Sequence, residues 1–269
     1  MIEIIQIIIF FIIFTSTLVV PFNIISEKNF LKNLSLLEKG SLNLAFNLNI
    51  LLFISFSNYS IQLVQPLIFV SYLLIFIFNY INKLILIKNF IIYIFPLFLV
   101  FLILSVNIGS ELYLGWDAKY FYYIKSLYFF EGKTIYDLNQ FSQNIWHPYF
   151  GSYIWGFFWS LSSLEIEYFG RLFYLFLFCF SFFYISRISV NEKVNNLIYL
   201  ILVVIFYEYE FFSGLQEILI FSILVLISKY FFEITKKKNL IYLILLYSNL
   251  FIWIKSEGIF YFFTSLFLI

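Results

Sequence analysis

Apolar runs recur along the chain and are separated by short polar segments. Residues 7–14 and 200–206, for example, contain no charged or polar side chain. A membrane-spanning helix needs about 20 predominantly apolar residues. On this criterion the pattern predicts an all-α polytopic membrane protein with about nine transmembrane helices, whose boundaries lie near residues 2–22, 41–57, 61–81, 90–108, 168–187, 196–212, 216–233, 239–254 and 258–269.

Composition supports the same class of protein. Of the 269 residues, 63% are hydrophobic and 12% are charged, whereas soluble domains have about 45–50% apolar and about 25% charged residues. A water-soluble globule is excluded, and the predicted helices leave no room for a large soluble domain. The first apolar run follows Met1-Ile2-Glu3, without the positive segment of a cleaved signal peptide, so we expect it to be a retained helix.

One connection, residues 109–167, is much longer than the others. Within it, residues 118–131 alternate aromatic side chains with Lys119 and Lys125, and residues 149–163 are rich in Trp and Phe. Both patterns are typical of helices that lie in the plane of a membrane interface. Gly132 and the His147-Pro148 step supply the breaks, and we expect the loop to follow the membrane surface.

The basic residues predict which side of the membrane this loop occupies. If the long loop is extracytoplasmic, eleven of the 16 basic residues and four of the 15 acidic residues lie in the cytoplasm. The opposite orientation would place the run Lys236-Lys237-Lys238 outside, which the positive-inside rule disfavours. The eleven basic residues are Lys28, Lys32, Lys39, Lys83, Lys88, Arg187, Lys193, Lys229, Lys236, Lys237 and Lys238.

Other features limit the function classes. A net charge of +1 gives no reason to expect a nucleic-acid partner. We expect membrane lipid to surround the protein. Cys179, the one cysteine, lies among phenylalanines and is expected to be structural. The chain has no phosphate-binding P-loop, no dinucleotide fingerprint and no serine-hydrolase elbow, so nucleotide-driven pumping and serine hydrolysis are disfavoured.

Polar residues that could do chemistry collect at the predicted extracytoplasmic ends of the helices. A carboxylate there can act as a general base, and a cation can hold a phosphate. No second histidine or cysteine pair completes a metal site. The candidates are Asp117, His147, Arg171, Glu217, Lys255 and Glu257.

The order of these residues resembles the integral-membrane GT-C glycosyltransferases, among them the dolichyl-phosphate-mannose protein mannosyltransferases and the bacterial aminoarabinose transferases. The resemblance covers roughly residues 90–269, which would form a shared transmembrane module preceded by N-terminal helices in residues 1–89. It rests on Gly115-Trp116-Asp117-Ala118, His147-Pro148, Gly170-Arg171-Leu172, Leu215-Gln216-Glu217-Ile218-Leu219 and Ile254-Lys255-Ser256-Glu257-Gly258.

The resemblance implies a polyprenyl-phosphate-linked sugar as donor, a glycan, lipid or protein as acceptor, and inverting transfer on the extracytoplasmic face of a bacterial plasma membrane. Asp117 would deprotonate the acceptor hydroxyl, while Arg171 and Lys255 would steady the donor phosphate. His147, Glu217 and Glu257 would contact substrate. No cofactor is predicted, and dependence on a divalent metal stays open.

Two other functions remain open at this point. The chain could be a non-catalytic transporter or flippase for lipid-linked saccharides, or an inactive N-terminal fragment, because it stops at Ile269 within an apolar run. Each candidate residue also has a structural alternative. Asp117 suits the N-cap of a helix that starts at Ala118, and Arg171 and Lys255 can extend from helix ends toward water or lipid headgroups.

Overall fold

The computed structural model describes residues 2–21, 34–81, 87–138 and 148–268, and these ranges contain helices and no strand. A five-residue π-helical turn, Ala118–Tyr122, leads into the fifth helix, and a short 3-10 turn, Tyr209–Phe212, precedes the tenth. The α-helices are α1 (Ile2–Val19), α2 (Leu36–Ser55), α3 (Ile61–Ile81), α4 (Ile87–Glu111), α5 (Tyr123–Phe130), α6 (Ile135–Leu138), α7 (Phe150–Trp159), α8 (Tyr168–Ile185), α9 (Glu192–Phe206), α10 (Glu217–Glu233), α11 (Leu240–Ile254) and α12 (Gly258–Phe267).

A helix lies at each of the nine predicted positions, and the two boundaries that differ by five or more residues have local explanations. Helix α2 begins at Leu36 because Ser35 and Glu38 form a reciprocal capping box, which satisfies backbone N–H groups at the helix start. Helix α9 ends at Phe206 because Tyr207 and Glu208 adopt extended conformations before the 3-10 turn.

Four helical segments are long and apolar enough to cross a membrane: Ile2–Val19, Ile61–Phe78, Ile92–Glu111 and Tyr168–Ile185. Helices α11 and α12 are apolar but shorter. The protein is therefore a helical membrane protein, and the count of nine spans remains a prediction.

Helix α8 is the centre of the bundle. It is buried along nearly its whole length and packs against α10, α7, α4, α9 and α1. Its phenylalanines interlock with those of its neighbours: the Phe173 ring stacks on Phe158 with centroids 4.7 Å apart, a favourable separation for an aromatic pair. Cys179 is buried in this helix, as its apolar neighbours predict.

Two buried asparagines of α2 join the first three helices. The Asn43 side chain donates to the Leu18 carbonyl at 2.8 Å, and Asn47 donates to the carbonyls of Thr17 and Val20 at 2.9 and 2.7 Å. The Tyr72 hydroxyl of α3 in turn donates to Asn47. These bonds satisfy carbonyls that the end of α1 leaves without helical partners, so the polar groups are stable inside an apolar bundle.

The long connection folds onto the bundle. Helix α5 packs closely against α7, and α7 packs against α8. Every residue of α7 is buried, so other parts of the protein cover this helix, and its placement along a membrane surface stays a prediction. A Cβ on Gly156 would lie 2.6 Å from the Ser126 carbonyl of α5, and both Lys125 and Ser126 of α5 are buried.

Charged side chains gather at the two ends of the bundle. At one end, Lys237 pairs with Glu38 at 2.8 Å and Arg187 pairs with Glu192 at 2.8 Å. At the opposite end, Arg171 pairs with Glu167, and Lys255 pairs with Glu217, both at 2.5 Å. In each of the described spans the charged residues lie within about one turn of a helix end.

Candidate functional site

Three connecting segments meet at the second of these ends. The segment before the π-helical turn, residues 112–117, lies beside the segment before α10, residues 207–216. The Gly115 N–H donates to the Ser213 carbonyl at 3.0 Å, and the Tyr113 N–H donates to the Tyr209 hydroxyl at 3.1 Å. The third segment, between α11 and α12, carries Lys255 and Glu257.

Arg171 fastens the first two segments together. Its guanidinium is 1% exposed and binds both carboxylate oxygens of Glu167, through Nε at 2.9 Å and Nη2 at 2.5 Å. Its Nη1 donates to the carbonyls of Tyr113 at 3.0 Å and Phe212 at 2.6 Å. Four of its five N–H groups are thus engaged within the protein.

The planar guanidinium suits this role because it presents donors in several fixed directions at once. Burial raises the pKa of the Glu167 carboxyl, and the neighbouring Arg171 opposes that rise. Arg171 therefore positions the two segments that lead to Asp117 and Glu217. Phosphate binding by Arg171 stays a prediction. Only one of its five N–H groups is left to donate to a phosphate.

Gly214 allows the second segment to turn beneath the first. Its φ of +94° is a left-handed conformation that glycine adopts without steric cost. A Cβ there would lie 2.7 Å from the Trp155 ring and 2.9 Å from the Ala118 side chain. The absence of a side chain thus brings the start of α10 against the start of the π-helical turn.

Lys255 is surrounded by carboxylates. Its ammonium lies 2.5 Å from an oxygen of Glu217 and 3.8 Å from an oxygen of Glu257. Partial burial lowers the pKa of Lys255, but the hydrogen bond to Glu217 and the charges of Glu217, Glu257 and Asp117 outweigh this effect and leave the pKa raised. Lys255 is therefore a firmly protonated cation held mainly by Glu217.

Asp117 lies at the edge of the same cluster. Its side chain is exposed and makes no capping bond to the π-helical turn that follows it. The structural alternative for Asp117, a side-chain N-cap, is thus absent from the described geometry. Its charge acts on Lys255 and on Tyr122, which places Asp117 in the electrostatic surroundings of Glu217 and Glu257.

Tyr122 belongs to this site although the sequence pattern did not single it out. It is 4% exposed. Burial raises the pKa of Tyr122, and the charges of Glu217, Asp117 and Glu257 raise it further, so the phenol stays protonated. The sequence signal that could have found Tyr122 is its position five residues after Asp117, on the inner face of an aromatic helix.

The sequence pattern did not single out Glu167 either, although its spacing of four residues from Arg171 is typical of a helical ion pair.

Aromatic rings border the cluster on its exposed side. Trp116 is 66% exposed and precedes Asp117 directly. Its ring is supported by Tyr120 at 5.1 Å and Phe121 at 5.7 Å between centroids. An exposed aromatic surface thus lies directly beside Asp117.

Of the six candidate residues, the structure brings Glu217, Lys255 and Glu257 into contact, and Asp117 lies near enough for its charge to act on Lys255. Arg171 lies beneath them as a structural clamp, and His147 lies outside the described residues. Among the described residues, no three His, Cys, Asp or Glu side chains are arranged to hold a metal ion. Whether the protein depends on a divalent metal stays open.

The fold and the site together define a helical membrane protein with a cluster of carboxylates and one lysine at one end of its bundle. Comparison of the chain with family models, with curated proteins and with solved structures finds no match. Assignment of a function therefore rests on the residues of the cluster.

Proposed function

We propose that the protein is a membrane glycosyltransferase that transfers a sugar from a polyprenyl-phosphate donor to a glycan, lipid or protein acceptor. The reaction takes place on the extracytoplasmic face of a bacterial plasma membrane. The observation that carries this proposal is the meeting of Asp117, Glu217, Lys255 and Glu257 at one end of the bundle, although these residues come from three distant segments of the chain.

In this reaction Asp117 is the base. The acceptor hydroxyl attacks the anomeric carbon, and its proton passes to the Asp117 carboxylate. The bond between the anomeric carbon and the phosphate oxygen breaks, and polyprenyl phosphate leaves with the electron pair, so the anomeric configuration inverts. The exposure of Asp117 and its lack of a capping bond support this role, because a base must be reachable by substrate.

Lys255 is the cation that faces the departing phosphate, and its raised pKa keeps it charged. Arg171 contributes by holding the segments that carry Asp117 and Glu217. The Trp116 surface offers a face for a sugar ring. Charged groups stabilise a transition state most when they are already in position before the substrate arrives.

Replacing Asp117 by Asn tests the proposal. The full chain in lipid nanodiscs is incubated with radiolabelled undecaprenyl-phosphate glucose and undecaprenyl-phosphate mannose, and release of sugar from the lipid is measured with and without Mg²⁺. We expect Asp117→Asn to lower the rate by about 10²- to 10⁴-fold, the usual contribution of a general base. The exposed Glu131 of the same loop gives the control variant Glu131→Gln, which should retain the wild-type rate.

Wild-type rates in Asp117→Asn would remove Asp117 from the mechanism. Uptake of lipid-linked sugar across a sealed vesicle without cleavage of the phosphate bond would favour the transporter alternative. That alternative is expected to place ionisable residues near the middle of spans, whereas the charges in the described spans lie near their ends.

A further inference from the structure

Lys255 interacts with several carboxylates at once. Among the described residues, the charges of Glu217, Glu257 and Asp117 all act on its ammonium. Glu217 makes the closest contact, at 2.5 Å, and Glu257 lies at 3.8 Å. Lys255 therefore already has an anionic partner before any ligand arrives.

A phosphate that approaches Lys255 meets two obstacles. It must share or displace the Glu217 oxygen that occupies one direction of the ammonium, and it is repelled by the remaining carboxylates. Glu217 has room to move aside because its side chain is 48% exposed, while that of Lys255 is 20% exposed. The lysine is thus the better-anchored partner and the glutamate the one that can yield.

We propose that Glu217 determines the ligand specificity of the site by competing with the ligand phosphate for Lys255. This inference rests on the proposed function, in which Lys255 contacts a lipid phosphate. Competition of this kind weakens the binding of every phosphate, and it weakens dianionic monoesters more than monoanionic diesters, because repulsion grows with ligand charge. Glu217 accordingly shifts the preference of the site toward the sugar-bearing diester and away from the monoester that remains after transfer.

The test measures binding of two isoprenoid probes to the full chain in detergent by isothermal calorimetry. Farnesyl phosphate carries the charged headgroup, and farnesol serves as the uncharged control. Removing the competing charge in Glu217→Gln should tighten binding of farnesyl phosphate by about three- to tenfold, the range expected for a partly exposed ion pair. It should leave the affinity for farnesol unchanged.

Two further variants separate the possible outcomes. Glu257→Gln removes an equal charge at the longer distance and should change the affinity for farnesyl phosphate less than Glu217→Gln does. Lys255→Gln should weaken binding of farnesyl phosphate and leave that of farnesol unchanged, because the carboxylates then repel the phosphate with no cation opposing them. If farnesyl phosphate and farnesol bind with the same affinity to wild type, and also to Glu217→Gln, the phosphate contact of the proposed function is wrong. Competition by Glu217 is then refuted as well.

If Lys255→Gln loses farnesyl phosphate but Glu217→Gln binds it no better than wild type, the phosphate contact stands and competition by Glu217 is refuted. A second measurement tests the ion pair between Glu217 and Lys255. Because Glu217 raises the pKa of Lys255, its replacement should lower that pKa and speed acetylation of Lys255 at pH 9, measured by peptide mass spectrometry. An unchanged acetylation rate would contradict the ion pair itself.

Discussion

Arg171 shows at the level of one residue how a polar side chain can be recognised in a sequence while its contacts within the protein cannot. Its place at the start of an apolar helix indicated an arginine near a membrane interface. The structure instead buries it against Glu167 and two backbone carbonyls. An arginine at a helix end can serve either purpose, and only the surrounding segments distinguish them.

Replacing Arg171 by Met should destabilise the protein by about 3–5 kcal/mol, because Glu167 and the two carbonyls would lose a buried partner. Cys179 is fully buried, so the rate at which a thiol-reactive dye labels it on heating reports unfolding. Replacing both charges, in Glu167→Leu with Arg171→Met, should restore part of the loss. Unfolding of Arg171→Met at the wild-type temperature would show that the clamp contributes no stability.

Glycines control how closely the helices approach one another. A Cβ on Gly170 of α8 would lie 2.3 Å from the Trp155 carbonyl of α7, and a backbone atom cannot move aside cheaply. A Cβ on Gly40 of α2 would lie 3.6 Å from Leu18, at an ordinary contact distance. Two glycines inside helices thus differ in whether they are needed for packing.

We expect Gly170→Ala to destabilise the protein by about 1–3 kcal/mol through overpacking. Gly40→Ala should be neutral or stabilising by up to about 1 kcal/mol, since alanine favours the helix. The same Cys179 labelling assay compares the two variants. Equal stability of both would mean that α7 and α8 are not packed as closely as described.

The contact between the two segments beneath the site can be captured covalently. A Cβ on Gly115 would lie 3.6 Å from the Cβ of Ser213, close to the separation of about 3.8 Å found in disulfides. Gly115→Cys combined with Ser213→Cys should therefore form a disulfide under mild oxidation. Intact mass and thiol counting detect it, and each single variant is the control. Two reactive thiols in the double variant would refute this contact.

Helix positions followed from the sequence better than helix surroundings did. Apolar runs and breaks such as Gly132 located the elements within a few residues, because the period and length of a run are local properties. They did not predict that α7 is buried. A segment rich in Trp, Phe and Gly suits both a membrane interface and a tightly packed interior, and the choice depends on which helices are available to cover it.

The orientation of the whole molecule in the membrane rests on the distribution of lysine and arginine. The described ion pairs place Lys237 and Arg187 at one end of the bundle and Lys255 at the other, and the charge of Asp117 acts on Lys255. If the positive-inside rule holds here, the end with Asp117 faces away from the cytoplasm.

Labelling of intact cells with a membrane-impermeant maleimide tests this orientation. Lys133 is exposed in the long connection and Val190 is exposed in the turn between α8 and α9, at the opposite end. We expect Lys133→Cys to be labelled from outside and Val190→Cys to be labelled only after lysis. The wild type, whose Cys179 is buried, is the control. The reverse pattern would place the site in the cytoplasm and contradict the proposed function.

The amino-acid sequence alone determined that this chain is helical and apolar enough for a membrane, and where its charges lie along the helices. Those properties depend on the composition and length of single segments, which each segment carries by itself. The tertiary structure decided which polar groups meet: Lys255 faces Glu217, and Arg171 serves the backbone. Hydrogen-bond partners are chosen by the packing of distant segments around small residues such as Gly214, and no local pattern encodes that choice.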